Sequence, residues 1–402
     1  MSTAVVMPWR IVLAACVGMF AATSTGSTRS PFLPDMAADL SVSLPAIANL
    51  FGITAASWGI SSYLTGYASD RFGRRGFLIL PPLLLSLAML AVAFAQGYVT
   101  LVFITVIAGM CCGALTASVM TEVSIQTPVT YQGRALGYVM SGQSLTLLIG
   151  VPFSAWLGAM IGWRGIHVVL AGLALVASAT MVVALIKGKG NAGLSSDSKI
   201  AALPPTAKST MKRALTGPVI RLFIALIAER LCFGLATFYY ASYLRTEYRM
   251  PIDVVAVPLI TFAAGNILGT FVGGQVADKL PFRRVSFAVS ILIAGCVAVP
   301  WFSWRPGIAT TVALGVAFAF FNGISRPPLL AALADVPREV RGLIMGLNSS
   351  VASIGWLGAA LLGGWFYAGI GFSGFSPLMA SMCLLAALVV VPDSRLRRQY
   401  SS

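Results

Sequence analysis

The sequence has little charge and a single histidine. Charged residues make up 10% of its 402 residues, whereas soluble domains carry about 25%. With His167 as the one imidazole, a metal or acid–base site built from several histidines is excluded. The six cysteines lie inside apolar runs without metal-ligand spacing, and there is no Gly-x-x-x-x-Gly-Lys-Ser/Thr stretch to hold nucleotide phosphates. We therefore expect neither an enzyme nor an ATP-driven pump, and no metal or cofactor.

The main feature of the sequence is a series of long hydrophobic runs. Hydrophobic residues make up 58% of the chain, and they recur in runs of the ~20 residues that cross a bilayer as a helix. We predict an all-α membrane protein with twelve transmembrane helices, the first near residues 11–33 and the last near 373–392.

The net charge of +15 has a topological explanation. Lysine and arginine concentrate in the segments between alternate apolar runs, which is the bias that orients membrane proteins with their positive loops inside. The charge therefore does not indicate nucleic-acid binding. It places both termini in the cytoplasm, and the short loops favour a bacterial inner membrane. We expect the protein to function as a monomer.

Residues 187–216 differ in composition from the rest of the chain. They are rich in Gly, Ser, Ala, Pro and Lys and show no apolar period, which is typical of a linker. The linker separates predicted six-helix bundles at 1–186 and 217–402. Because related short sequences recur in both bundles, we expect two pseudo-symmetric parallel repeats, with a binding site at their interface near the midplane.

Two related turns carry the clearest motif. The first has glycines and arginines around one acid and consists of Gly66, Asp70, Arg71, Gly73, Arg74 and Arg75. A weaker copy in the second half consists of Gly274, Asp278, Arg283 and Arg284. The first motif, between the second and third predicted spans, resembles the signature of the major facilitator superfamily, and the resemblance covers the whole chain.

The resemblance implies a transporter that works by alternating access, with a gate at these motifs. Asp70 would face the N-terminus of the eleventh span near Arg341, where the helix dipole and the arginine stabilise the carboxylate. Asp278 would do the same at the start of the fifth span near Gly133. The alternative is that the motif charges only fix the topology.

A stretch of the fifth span resembles the bacterial twelve-span drug:proton antiporters. It contains Gly150 and Pro152, which would let the helix bend. Two departures from the antiporter pattern leave the direction of transport open: Val151 precedes the proline, and the outer half of the fourth span carries no arginine.

The superfamily resemblance implies that spans one, four, seven and ten line the cavity, and the seventh carries two charges near its middle. A charge at that depth costs several kcal/mol unless it is paired or hydrated, about 3 kcal/mol on insertion scales. Because neighbouring residues on a helix point about 100° apart, we expect Glu229 and Arg230 not to pair with each other. Glu229 is the candidate proton carrier, and the alternative is a structural Glu–Arg lock between spans.

Two further arginines lie in cavity-lining spans, Arg29 near the outer end of the first and Arg326 in the tenth. Either can hold an anionic substrate through two parallel hydrogen bonds. The alternatives are snorkelling to the interface for Arg29 and pairing with Glu229 for Arg326. The remaining candidates for substrate binding are polar or aromatic residues of the predicted spans: Arg230, Gln143, Tyr239, Asn266 and Asn322. His167 is expected to be a satisfied interface residue.

These features predict a secondary active transporter of a small organic solute. A single mid-span carboxylate suits protons better than sodium, because no second acid nearby completes a site for a hard cation. Efflux by drug or metabolite:proton antiport is the leading interpretation. The mid-membrane arginines keep open the alternative of proton-coupled transport of a small organic anion, by uptake or exchange.

Overall fold

The computed structural model describes residues 7–128, 131–187, 215–280, 282–335 and 338–391. Within these ranges the chain is helical and has no strands. Nine helical stretches of the described chain are long and apolar enough to cross a membrane, and two of them, Arg134–Ile186 and Leu347–Val390, are long enough to cross twice. The predicted all-α membrane fold is confirmed, and the count of twelve spans stays a prediction.

The described residues of Met1–Lys199 and Met250–Leu259 form one compact unit. Its helices are α1 Trp9–Ser27, α2 Leu33–Asp39, α3 Leu44–Phe72, α4 Arg74–Ala93, α5 Tyr98–Gln126, α6 Gln132–Leu145 and α7 Val151–Lys187.

The second unit comprises Ile200–Arg249 and Ile260–Ser402. The helices from here to the C-terminus are α8 Gly217–Glu247, α9 Ile252–Lys279, α10 Arg283–Ser303, α11 Ile308–Ala334, α12 Arg338–Ile370 and α13 Phe375–Val390. The predicted linker lies largely outside the described residues, so the limits 1–186, 187–216 and 217–402 stay predictions.

Two glycines end helices where the sequence predicts turns. Gly73, with φ +91°, separates α3 from α4, and Gly162, with φ +69°, interrupts α7. Side chains other than glycine rarely adopt such φ values. The sequence also predicts a loop over residues 35–44, which is wrong in part because Leu33–Asp39 is helical. Pro34 favours a helix start, and Leu33 and Met36 are buried.

The bend predicted at Gly150 and Pro152 coincides with an irregular helix. Residues Thr146–Gly150 form a π-helical segment between α6 and α7, the kind of bulge that accommodates a helix irregularity. Pro152 contributes to it because it has no backbone N–H for the regular hydrogen-bond ladder. The segment is tied to α1 by a 2.6 Å hydrogen bond between the hydroxyls of Thr23 and Thr146. A role in transport-linked bending stays a prediction.

Helices α3 and α5 pack at backbone contact through glycine. A Cβ added at Gly113 would overlap the carbonyl oxygen of Trp58, and the Ser61 hydroxyl donates to the Met110 carbonyl at 2.7 Å. The second unit uses the same device, because a Cβ at Gly269 of α9 would overlap the Phe320 carbonyl of α11. In lipid there is no hydrophobic driving force between helices. Small residues of this kind let the backbones approach closely, and the resulting van der Waals packing holds the helices together.

We predict that Gly113→Ala destabilises the protein by about 1–3 kcal/mol, the usual cost of overpacking, because α5 must move away from α3. The matched control is Gly137→Ala at an exposed position of α6, where an added Cβ meets nothing within 4 Å. Thermal unfolding midpoints in one detergent measure both changes. Equal midpoints for the two variants would contradict the close packing of α3 and α5.

Candidate functional site

The middle of α8 holds a buried ion pair. Glu229 is 0% exposed, and Arg230 contacts both of its carboxylate oxygens, from Nε and from Nη2, at 2.5 Å each. The expectation that these neighbours do not pair is wrong. Their Cβ atoms diverge, but the long arginine side chain folds back far enough to meet the carboxylate with both donors.

Arg326 of α11 is the third charge of this cluster. Its Nε lies 4.0 Å from Oε1 of Glu229, at the outer limit of an ion pair. The guanidinium groups of Arg230 and Arg326 both lie over the ring of Phe233, at 5.5 and 5.2 Å from its centre. We call Glu229, Arg230 and Arg326 the Glu229 cluster; with all three ionised, its net charge is positive.

Polar atoms without hydrogen-bond partners adjoin the cluster. Nε and Nη2 of Arg326 make no hydrogen bond, nor do Oδ1 and Nδ2 of Asn322. Asn322 is 0% exposed and lies one helical turn from Arg326 on the same face of α11. Buried polar groups in proteins are nearly always satisfied, so these atoms are the hydrogen-bonding groups beside the cluster that the described protein residues leave unpaired.

Two of the residues predicted to bind substrate, Asn266 and Tyr239, form hydrogen bonds with backbone carbonyls of neighbouring helices. The Asn266 amide of α9 donates to the Ala319 carbonyl of α11 at 3.2 Å, and the Tyr239 hydroxyl of α8 donates to the Ala360 carbonyl of α12 at 3.4 Å. Both contacts join neighbouring helices, as intramembrane polar groups commonly do. Gln143 is half-buried on α6 of the first unit. Substrate contact by these three residues stays a prediction.

Arg29 lies in the first unit, directly after α1. It is 2% exposed, so the alternative that it snorkels to the membrane surface is wrong. Its Nη1 donates to the Thr54 hydroxyl of α3 at 3.4 Å, and its Nε has no partner. Arg29 is therefore a guanidinium enclosed by protein with one of its nitrogens, Nε, unpaired.

His167 of α7 is only partly satisfied by hydrogen bonds. Its Nδ1 donates to the Trp163 carbonyl at 2.7 Å, but its Nε2 has no partner. The expectation of a satisfied interface residue is therefore wrong for one of the two nitrogens. The available signal was the rarity of an ionisable ring inside an apolar span.

The first gating motif lies partly outside the described structure. The surroundings of Gly66, Asp70, Gly133 and Arg341 are not described, so the predicted contacts of Asp70 and Asp278 stay predictions. Helix α3 ends at Phe72 and α4 begins at Arg74, with the exposed Arg75 next to it.

The second motif lies at the end of α9. Arg283 Nε donates to the Ala277 carbonyl at 3.3 Å, where a cation also complements the negative end of the helix dipole. Asp278 is exposed, while Gly274 and Arg284 are half-buried. Arg283 thus has a helix-capping role, with or without a role in gating.

Comparison with known proteins places this architecture in a family. The model of the Major Facilitator Superfamily matches residues 14–310 and 222–401, which together span nearly the whole chain. The match confirms the predicted resemblance and the prediction of a multi-pass membrane transporter that is not an enzyme.

Three relatives illustrate the range of the family. The chain is 26% identical to the inner membrane transport protein YdhP of Escherichia coli O157:H7, with 94% of each chain covered. It is 26% identical to the chloramphenicol resistance protein of Streptomyces lividans, with 89% of each chain covered. It is 24% identical to the purine ribonucleoside efflux pump NepI of Escherichia coli O6:H1, covering 91% of this chain and 89% of the relative.

We predict that Glu229→Gln strongly destabilises the protein, because it leaves two neighbouring guanidinium groups without their counter-charge. Removing one partner of a buried ion pair typically costs about 3–5 kcal/mol. The double variant Glu229→Gln with Arg230→Gln restores the original net charge of the cluster and should recover part of the lost stability. Thermal unfolding midpoints in detergent measure both effects.

The control for this prediction is a partly exposed ion pair. Arg305 lies 2.8 Å from Glu247, with the arginine side chain 59% exposed, so Glu247→Gln should cost about 1 kcal/mol or less. The prediction is wrong if Glu229→Gln is no more destabilising than Glu247→Gln, or if the double variant is less stable than the single one.

Proposed function

The chain belongs to the major facilitator superfamily, and we propose that it is a proton-coupled secondary transporter that exports a small organic solute by alternating access. The observation that carries the proposal is the Glu229 cluster. A fully buried carboxylate held by two arginines has few ways to change its charge other than by taking up a proton, and each such change alters the bonds of the whole cluster.

Proton uptake on Glu229 provides a physical switch. The ionised carboxylate accepts two hydrogen bonds from Arg230 and attracts Arg326. Protonation removes the negative charge, so both guanidinium groups lose their counter-charge and seek another acceptor. Coupling then follows if the cluster favours one conformation when Glu229 is ionised and the other when it is protonated.

Export in exchange for protons fits a neutral solute that donates hydrogen bonds to the Glu229 carboxylate. Such a solute and the proton compete for the same group, so each displaces the other, which is the linkage that antiport requires. The names of two relatives, a chloramphenicol resistance protein and a purine ribonucleoside efflux pump, support this direction.

A second candidate function rests on the unpartnered atoms of Arg326 and Asn322. A solute carboxylate bound there would neutralise the excess positive charge of the cluster. Proton uptake on Glu229 would then become easier, so anion and proton would bind together and move in the same direction. The sign of the coupling therefore separates an exporter of neutral solutes from a carrier of organic anions.

The proposal extends to the surroundings of the cluster. We place the protein in the bacterial inner membrane as a monomer with both termini in the cytoplasm, in keeping with its charge bias. The motifs around Asp70 and Asp278 would stabilise alternate gated states. The π-helical segment at Gly150, next to Pro152, would provide the helix bending that rocking of the halves needs.

We predict that purified protein in liposomes carries out solute-dependent proton movement that Glu229→Gln abolishes. A pH indicator is enclosed in the liposomes, and chloramphenicol, inosine and benzoate are added in turn. Proton movement opposite to the solute supports antiport, and movement with it supports anion co-transport. Arg326→Gln should weaken benzoate transport at least tenfold in apparent KM, because it removes the donors proposed to hold the carboxylate.

The matched control is Arg305→Gln, which removes an exposed guanidinium outside the cluster and should leave transport unchanged. Radiolabelled solute measured in the same liposomes reports transport without protons. If Glu229→Gln folds, binds solute and still couples its movement to protons as in the wild type, the assignment of Glu229 is wrong.

A further inference from the structure

Unpaired polar atoms concentrate in the second unit, where α8 and α11 meet beside Trp301 of α10. In the described part of the chain, twelve buried polar side-chain atoms have no hydrogen-bond partner. Six of the twelve lie here: one each on Tyr240 and Trp301, and two each on Asn322 and Arg326. An unpaired polar atom is costly in a protein interior, so their concentration along one helix contact indicates a binding role.

Contacts at two levels show that α8 and α11 run antiparallel. A Cβ added at Gly315 of α11 would lie 3.1 Å from the Tyr240 hydroxyl of α8. Further along, Nε of Arg326 lies 4.0 Å from Oε1 of Glu229. Eleven residues separate the two contacts on each helix, which is about three turns. Each helix therefore turns the same face to the other at both levels.

Asn322 lies between these levels, opposite Phe233. It follows Gly315 by seven residues, and Phe233 precedes Tyr240 by the same number. The guanidinium of Arg326 lies 5.2 Å from the centre of the Phe233 ring. Asn322 and Arg326 are four residues apart, so their side chains are neighbours on one face of α11. We call Asn322, Arg326 and the Phe233 ring the Asn322 site.

The rest of this site is aromatic. Phe233 stacks on Phe262 of α9, with 6.1 Å between ring centres and 20° between the planes. Phenyl rings have no hydrogen-bonding groups, so the polar groups of a ligand there pair with Asn322 and Arg326. Asn322 is 0% exposed, whereas the side chain of Arg326 is 26% exposed. The site therefore has its open edge at Arg326.

The two unpaired atoms of Asn322 define which ligand fits. Oδ1 is an acceptor and Nδ2 is a donor, and neither has a partner. A carboxylate has only acceptors, so it would leave Oδ1 without a donor. An amide within a ring has its N–H and C=O side by side and pairs with both atoms of Asn322. The second lone pair of its oxygen accepts from Arg326.

We propose that the Asn322 site binds a neutral solute with a lactam edge. The ring N–H donates to Oδ1 of Asn322, and the carbonyl oxygen accepts from Nδ2 and from Arg326. This solute class rests on the proposed function only for the step that carries the bound solute across the membrane. Asn322 is thus the residue that distinguishes lactams from carboxylates.

The test is equilibrium binding to full-length protein in detergent at neutral pH, without any gradient. Three five-carbon probes are titrated at constant ionic strength: δ-valerolactam, N-methyl-δ-valerolactam and sodium valerate. A ligand that binds the folded state raises the thermal unfolding midpoint. We expect δ-valerolactam alone to raise it saturably, because the N-methyl analogue has lost the N–H and valerate has no donor.

Two variants locate the binding. Asn322→Leu has a similar shape without the polar atoms and should weaken δ-valerolactam binding at least about tenfold. Its unliganded midpoint should equal or exceed that of the wild type, because a buried amide without partners does not stabilise the fold. Tyr240→Phe is the matched control. It removes another unpaired atom, about 10 Å further along the helices, and should leave δ-valerolactam binding unchanged.

Several outcomes overturn the proposal. A larger effect of valerate makes the site one for carboxylates, and an equal effect of the N-methyl analogue removes the role of the N–H. The proposal is also wrong if δ-valerolactam has no effect, or if its effect survives Asn322→Leu. Asn322→Ala serves if the leucine variant does not fold, and should weaken binding as well.

Failure here is distinguishable from failure of the proposed function, because the binding assay measures neither transport nor proton movement. Lactam binding without solute-dependent proton movement in liposomes contradicts the proposed function alone. Proton movement that depends on Glu229, without lactam binding in detergent, contradicts the Asn322 site alone.

Discussion

The cost of burying charge in an apolar helix bundle governs this structure. Glu229 is fully enclosed, and such a carboxylate is tolerated only with donors on its oxygens and an opposite charge beside it. Arg230 supplies both from the next position in the chain. The backbone of α12 closes over the pair at Gly355, where an added Cβ would overlap the Cβ of Arg230. The glycine therefore allows the helix approach that keeps the ion pair away from lipid.

Close helix approach and buried charge are connected in the second unit. Helices α9 and α11 touch through Gly269 and Gly323, at positions where any larger residue would overlap the opposite backbone. The same contact fixes the face of α11 that carries Asn322 and Arg326. Their unpartnered atoms are thus held in place by packing. A binding group presented on a rigid, glycine-packed helix loses little entropy when a ligand arrives.

The sequence predicts the fold and the positions of the buried charges well, but it does not predict which groups these charges and the buried polar side chains contact. Apolar run length predicts the all-α membrane fold, and the glycines at 73 and 162 predict the turns, because both depend on local chemistry alone. The pairing of Glu229 with Arg230 escapes prediction, because helix geometry sets the direction of Cβ but not the reach of a flexible side chain. The partners of Asn266, Tyr239 and His167 depend on neighbouring helices, which no local pattern specifies.

The balance of buried charge bears on what the protein can carry. Among the described residues, Glu229 is the buried acid, while Arg29 and Arg230 are buried bases. Arg326, which is mostly enclosed, adds a third guanidinium. A lipophilic cation entering either unit would meet an excess of positive charge at low dielectric, where Coulomb repulsion is strong. A neutral solute rich in hydrogen-bond acceptors, or an acid, would meet donors already in place. Under the proposed function, the buried charges thus favour such solutes over lipophilic cations.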